Sequence, residues 1–163
     1  MLEALPEWAF SDDDRRFMAL ALAEAEKAGA AGDVPIGAVV VGPGGELLAA
    51  AGNRREQDQD PTAHAELLAL REAARKVGSW RLAGCTLYVT VEPCPMCAAA
   101  CVLARLRGVV YAAFDPKMGF VGSLANLLED PRLNHRVAVR AGLLAEEAEA
   151  LLQGFFAKKR HRR

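Results

Sequence analysis

Apolar positions along the chain recur with two periods, and each change of period marks an element. Phe17, Leu20, Ala21 and Ala28 fall at helical spacing. Ser11 ahead of Asp12, Asp13 and Asp14 supplies a capping hydroxyl and acids at the positive end of the helix dipole. Gly29 and Gly32 end that pattern. Residues 34–41 form a short apolar run with β-branched side chains, and Pro35 sits near its start, where a strand tolerates it. Gly42-Pro43-Gly44-Gly45 is turn chemistry and 46–51 reads as a second strand, so the sheet opens with a hairpin. The polar stretch 53–61 reads as a loop.

Helical spacing returns over 62–76, where Leu67, Leu68, Leu70 and Ala74 are apolar, and 86–91 is a strand. An Ala-rich helix opens at Cys94 or Pro95 and runs to about residue 107; Pro95 suits a first-turn position, where its missing N–H costs nothing. Another strand begins at Val109, 115–122 is a loop, Ser123 is placed to cap a short helix, and 136–140 is the last strand. A long helix follows from about residue 144 to the C-terminus. Helices alternating with strands behind a hairpin predict an α/β fold: three α/β/α layers around a mixed, roughly five-stranded sheet. With no low-complexity linker or repeat, residues 1–163 read as one domain, with a basic C-terminal helix and tail.

Composition narrows the class. The 163 residues are 52% hydrophobic and 25% charged, enough apolar material for one core without disulfide staples. A net charge of −1 excludes a broadly basic nucleic-acid coat, so any such contact must be a local patch. No apolar run reaches the roughly 18 residues of a membrane span. Residues 1–7 have neither a basic n-region nor an apolar h-region, which predicts no secretory signal and a cytoplasmic location. There, four cysteines stay reduced, and clustered ones bind metal more often than they pair.

Two segments carry candidate chemistry: Pro61-Thr62-Ala63-His64-Ala65-Glu66 and Val91-Glu92-Pro93-Cys94-Pro95-Met96-Cys97. Cys94 and Cys97 are one helical turn apart, at a helix N-terminus that favours thiolates. His64 supplies a third donor, and three protein ligands leave the fourth zinc position open, as in catalytic sites. Glu66, two residues on, can aim at the same space and move protons. Each residue alone has a plainer reading: buried thiols, a helix-start histidine, a first-turn acid. The four at this spacing favour zinc. A structural four-cysteine site using Cys85 and Cys101 would leave His64 and Glu66 unexplained, so those two read as packing thiols. Trp8 and Trp80 are assigned to packing, and His135 to a structural role.

His-x-Glu followed by Pro-Cys-x-x-Cys is the known signature of zinc-dependent nucleobase deaminases. At these residues the chain resembles the cytidine-deaminase-like superfamily and, within it, the bacterial tRNA-specific adenosine deaminases, which make inosine at the wobble position. Further matching stretches are Asp33-Val34-Pro35-Ile36-Gly37-Ala38, Gly84-Cys85-Thr86-Leu87-Tyr88-Val89-Thr90, Asp115-Pro116-Lys117 with Gly119, Gly122-Ser123-Leu124 and Asn134-His135-Arg136. The resemblance implies a cytidine-deaminase-like fold, a homodimer with one zinc per subunit, no nucleotide cofactor, and a tRNA anticodon stem-loop as substrate. It implies that His64, Cys94 and Cys97 hold the zinc and that Glu66 shuttles the proton. Asn53 would hydrogen-bond the flipped base; its plainer reading is a turn asparagine. Asp115 and Lys117 would touch the anticodon loop, and Phe156 and Arg160 would face the tRNA. Phe120-Val121 are bulkier than the family's small pair there.

The tail supports RNA on physical grounds as well. Phe155-Phe156 runs into Lys158-Lys159-Arg160-His161-Arg162-Arg163, joining faces that stack on bases to cations that bind phosphates. The plainer reading has Phe155 and Phe156 closing the core and the basic run solvated; beside a deaminase site only Phe155 is kept as core. Two rival functions remain: deamination of a free base or nucleoside, and RNA binding without catalysis around a structural zinc.

Overall fold

A computed structural model describes residues 2–163. Its sheet has five strands: β1 Gly37–Val41, β2 Leu47–Gly52, β3 Thr86–Val91, β4 Gly108–Ala113 and β5 Ala138–Ala141, in the order β2-β1-β3-β4-β5. β1 runs antiparallel to both β2 and β3, whereas β3, β4 and β5 are mutually parallel, so the sheet is mixed as the alternation of elements predicts. The helices are α1 Asp12–Ala30, α2 Arg55–Asp58, α3 Ala65–Val77, α4 Pro95–Leu103 and α5 Ala145–His161.

The central strands read as continuous apolar runs because helices cover both of their faces. Alternate residues divide cleanly. Ala38, Val40, Leu87, Val89, Val109 and Tyr111 pack with Ala69 and Ala73 of α3 and Ala98, Cys101 and Val102 of α4. Val39, Val41, Tyr88, Val110 and Ala112 pack with Phe17, Met18 and Ala21 of α1 and Ala148 of α5. The sheet is therefore sandwiched between two helical layers. Gly37 lets α1 lie directly on β1: a Cβ there would collide with the Ala21 carbonyl oxygen.

Several boundaries differ from the expectation. β1 begins at Gly37 rather than at Val34, beyond the proline that cannot donate to a ladder. Part of 53–61 is helical after all, as α2, because the carboxylate of Asp33 accepts the backbone N–H groups of Glu56 (2.7 Å) and Gln57 (3.2 Å). That cap comes from another part of the chain, so local composition does not reveal it. α4 stops at Leu103, and Ser123 caps no helix; a 3₁₀ turn at Leu127–Glu129 follows instead. Trp8 and Trp80 are 84% and 56% exposed, so neither is a packing residue; Trp80 lies under the guanidinium of Arg81, 4.3 Å from its ring centroid.

One buried carboxylate clamps the α1 layer to the sheet. Asp14 is 5% exposed and completes a capping box with Ser11. It also accepts the Tyr88 hydroxyl at 2.6 Å and two bonds from Arg140, at 2.6 and 2.9 Å. Burial alone would raise its pKa, but the bonds from Arg140, Tyr88 and the Ser11 backbone, with the Arg140 charge, hold it well below the ordinary carboxylate range. Its stabilisation is therefore present above the unfolded pKa of 3.8 and is lost as pH falls from there toward the lower folded value. Asp14→Asn is expected to cost about 1–3 kcal/mol at pH 7, the range for unpairing a charged hydrogen bond whose arginine can still reach water. In urea titrations that deficit should shrink at pH 3.

Candidate metal centre and active site

The site forms where two helices begin. His64 and Cys94 occupy the N-cap positions of α3 and α4, each with extended backbone, and neither makes a side-chain capping bond. Both are thereby free to turn toward each other. The His64 segment is held to the sheet by the Arg54 N–H, which donates to the Ala63 carbonyl at 3.0 Å just beyond β2. Cys94 leaves the carboxyl end of β3 through Glu92-Pro93, and Pro95 takes the first helical position, where it breaks no bond. Cys97 follows one turn later and is fully buried.

His64 Nδ1 lies 3.7 Å from Cys94 Sγ and 3.5 Å from Cys97 Sγ. All three donor atoms lie within 4.8 Å of one another. A tetrahedral ion with metal–sulfur bonds of about 2.3 Å and metal–nitrogen bonds of about 2.0–2.1 Å would separate nitrogen from sulfur by about 3.6 Å. The residues present therefore fit a single ion at ordinary bond lengths. Imidazole with two sulfurs is also the donor chemistry of a thiophilic divalent metal. Cys85, just before β3, and Cys101, on α4, are buried instead in the core on that face of the sheet. The Cys97 thiol and His64 hold the Cys94 thiol far below its usual range against the effect of burial, giving a sulfur ready to ligate.

A cavity of about 230 Å³ opens beside these donors. Val34, Ile36, Ala65 and Val91 give it apolar walls; Asn53, His64, Glu66 and Asp115 add polar groups. Glu66 is 4% exposed, and burial pushes its carboxyl up, opposed by the Cys97 thiol and the His64 charge. A carboxyl raised by burial beside a metal site is suited to exchange a proton.

The MafB19-like deaminase family matches residues 12–160. The tRNA-specific adenosine deaminase of Bacillus subtilis is 51% identical over 150 residues, 92% of each chain. That of Aquifex aeolicus is 48% identical over 145 residues, 89% of this chain and 95% of its own. The chain belongs to the tRNA-specific adenosine deaminase family. Among solved structures, one from a study of A-to-I editing by tRNA:A34 deaminases superposes with a TM-score of 0.81 at 46% identity, covering 84% of this chain and 99% of its own. Guanine deaminase from Nitrosomonas europaea superposes with a TM-score of 0.77 at 28% identity, covering 96% and 87%.

Within this member of the family, the residues named from sequence occupy three places. His64, Glu66, Cys94, Asn53 and Asp115 line the cavity, and Cys97 stands behind it. Asn53 serves the backbone too: its amide donates to the Val34 carbonyl at 3.2 Å and its oxygen accepts the Arg55 N–H at 3.2 Å. Asp115 Oδ1 accepts the N–H groups of Lys117 and Met118, closing a turn that leaves Lys117 exposed and outside the cavity. Phe156 and Arg160 are exposed on α5, on the other face of the sheet. The basic segment is helical through His161, as expected of a long C-terminal helix from about residue 144, and Phe155, Lys158, Lys159 and Arg162 share one of its faces, against Gly29–Gly32. His135 is structural: its Nε2 lies 2.8 Å from the Leu106 carbonyl oxygen.

Arg55, Glu92 and Met118 also line the cavity, and sequence reasoning assigned them nothing. Arg55 stood in a polar stretch with no periodic signal, and Glu92 sat inside the cysteine motif without a role of its own. Protein purified without chelator is expected to carry one metal ion per chain by elemental analysis. Cys97→Ala, which removes a buried donor, should abolish its retention on gel filtration.

Proposed function

We propose that the chain hydrolyses the wobble adenosine of a tRNA anticodon loop to inosine, releasing ammonia. One observation carries the chemistry: His64, Cys94 and the buried Glu66 line the same small cavity, with Cys97 behind it completing the donor trio. The relatives supply the substrate class, since the Bacillus and Aquifex proteins are named for adenosine in tRNA. Zinc is the ion that the donor set suits best, and when bound it lowers the pKa of a coordinated water to about 7.

The protein's own groups do the rest. Glu66 accepts a proton from the attacking water and passes it to N1 of adenine while oxygen adds to C6. It then takes the proton of the new C6 hydroxyl and hands it to the amino group, whose bond to C6 breaks as the C6 carbonyl forms, so that water and adenosine become inosine and ammonia. The apolar walls at Val34, Ile36, Ala65 and Val91 exclude bulk water and receive the flat face of an extruded base. An unpaired loop nucleotide reaches such a cavity at less cost than one in a duplex. Asn53 orients the base edge, Asp115 and Lys117 meet the flanking nucleotides, and Phe156 and Arg160 extend the contact by stacking and charge. Arg55, on the cavity wall, adds a cation for the phosphate beside the flipped base.

The reading includes a homodimer, supported by exposed apolar side chains at Leu103, Met118 and Leu124. It includes a cytoplasmic location, supported by four free cysteines. Among the described residues no helix is long and apolar enough to cross a membrane. The structural likeness to guanine deaminase supports a second reading, deamination of a free base.

Incubation with unmodified tRNA bearing adenosine at the wobble position, followed by nucleoside analysis, is expected to yield inosine. Ammonia from free guanine, with none from tRNA, would favour the second reading. Glu66→Gln should lower kcat on tRNA by about 10²–10⁴-fold with metal content and tRNA binding kept. Deleting 158–163 should weaken tRNA binding and flatten its salt dependence, by about 0.7–0.9 in log–log slope for each phosphate no longer neutralised, with metal content unchanged.

A further inference from the structure

Glu92 is 3% exposed, and its carboxylate is bound by the loop that follows β4. There it gathers four donors. Oε1 accepts the Asp115 N–H at 3.1 Å and the Ser123 hydroxyl. Oε2 accepts the N–H groups of Val121 and Ser123, each at 3.0 Å. Three backbone amides spread over nine residues thus converge on one side chain. The neighbouring Pro93 carbonyl accepts a fourth amide of the same loop, that of Phe120, at 2.9 Å.

Gly119 is cut to the same shape. A Cβ on it would collide with the Glu92 carboxyl group, so the loop closes around that group only because residue 119 has no side chain. The loop in turn carries Asp115 and Met118, which form one wall of the cavity. Two residues beyond Glu92 lies Cys94, a donor of the metal centre. One buried side chain therefore joins the wall that receives substrate to the turn that carries the metal ligand.

We propose that Glu92 is a positioning residue: it moulds loop 115–123 onto the metal-bearing turn and so sets affinity for the nucleotide entering the cavity. It touches no reacting atom, and the inference rests on the reading of that cavity as the base pocket. Glutamine tests it because a carboxamide keeps the shape but replaces one accepting oxygen with an NH₂ that can only donate. At the Oε2 position the NH₂ faces two backbone N–H groups, and at the Oε1 position it faces the Asp115 N–H, while the Ser123 hydroxyl can turn to accept from it.

The experiment compares Glu92→Gln, Ser123→Ala and Gly119→Ala with the wild type. Backbone amide exchange across 115–123 is measured on the free protein, metal content by elemental analysis, and kcat and KM on an anticodon stem-loop with wobble adenosine. Glu92→Gln is expected to speed loop exchange and raise KM by about tenfold to a hundredfold, the effect of one charged hydrogen bond. Metal content should hold, and kcat should move far less than KM. Gly119→Ala should reproduce this pattern without a charge change, and Ser123→Ala should move both readouts in the same direction by less. If Glu92→Gln fails to fold, the other two variants decide. Unchanged loop exchange, loss of metal, or a fall in kcat at constant KM would overturn the proposal. Wild-type protein that makes no inosine would instead overturn the base-pocket reading, leaving exchange to judge the Glu92 tie by itself.

Discussion

Everything at the site depends on two helix starts whose capping side chains are withheld from their own helices. A cap residue ordinarily turns its side chain onto the first free N–H groups. His64 and Cys94 do not, and the helices begin through backbone geometry and Pro95 instead. The imidazole and thiol so released meet at 3.7 Å, with Cys97 one turn below. Both helices present their positive ends to that point, which favours the thiolate form a metal needs. The sheet makes the meeting possible: α3 and α4 cover the same face, side by side, so their first turns fall at one end of the parallel strands.

Buried carboxylates do the remaining organisation, each by collecting backbone amides or side-chain donors from far along the chain. Asp33 caps α2, more than twenty residues away, and so brings Arg55 to the cavity wall. Glu92 gathers the loop after β4 around itself. Asp14 pins α1 to β3 and β5 through Tyr88 and Arg140. A buried anion is costly unless its oxygens are fully engaged, and these three are. The same rule sets Glu66 apart: its carboxyl is buried without comparable donors, so burial dominates and pushes it toward the neutral form. A carboxyl that can exchange its proton is what the proposed chemistry asks for.

Much of this was legible in the residues. Patterns of one turn or less survive folding unchanged, so Cys-x-x-Cys and His-x-Glu announce donors that share a side of their segment. The strands were legible because burial on both faces demands unbroken apolar runs, and Ser11 was legible because its capping box closes within four residues. Asn53 and Asp115 could be named, but not that both would also bind backbone. The helical character of 55–58, the exposure of Trp8 and Trp80, and the role of Ser123 depend on groups distant in sequence. No local window contains them.

The chain by itself thus determined the kinds of element, the two-sided core and the identity of the chemical groups, because propensity, period and ligand type are properties of neighbours. Only the tertiary structure decided which carboxylate a loop would bind and which would be left for the cavity's chemistry. Glu66 and Glu92 are the same residue type, each within two residues of a metal donor, and they differ in the donors that the fold places around each.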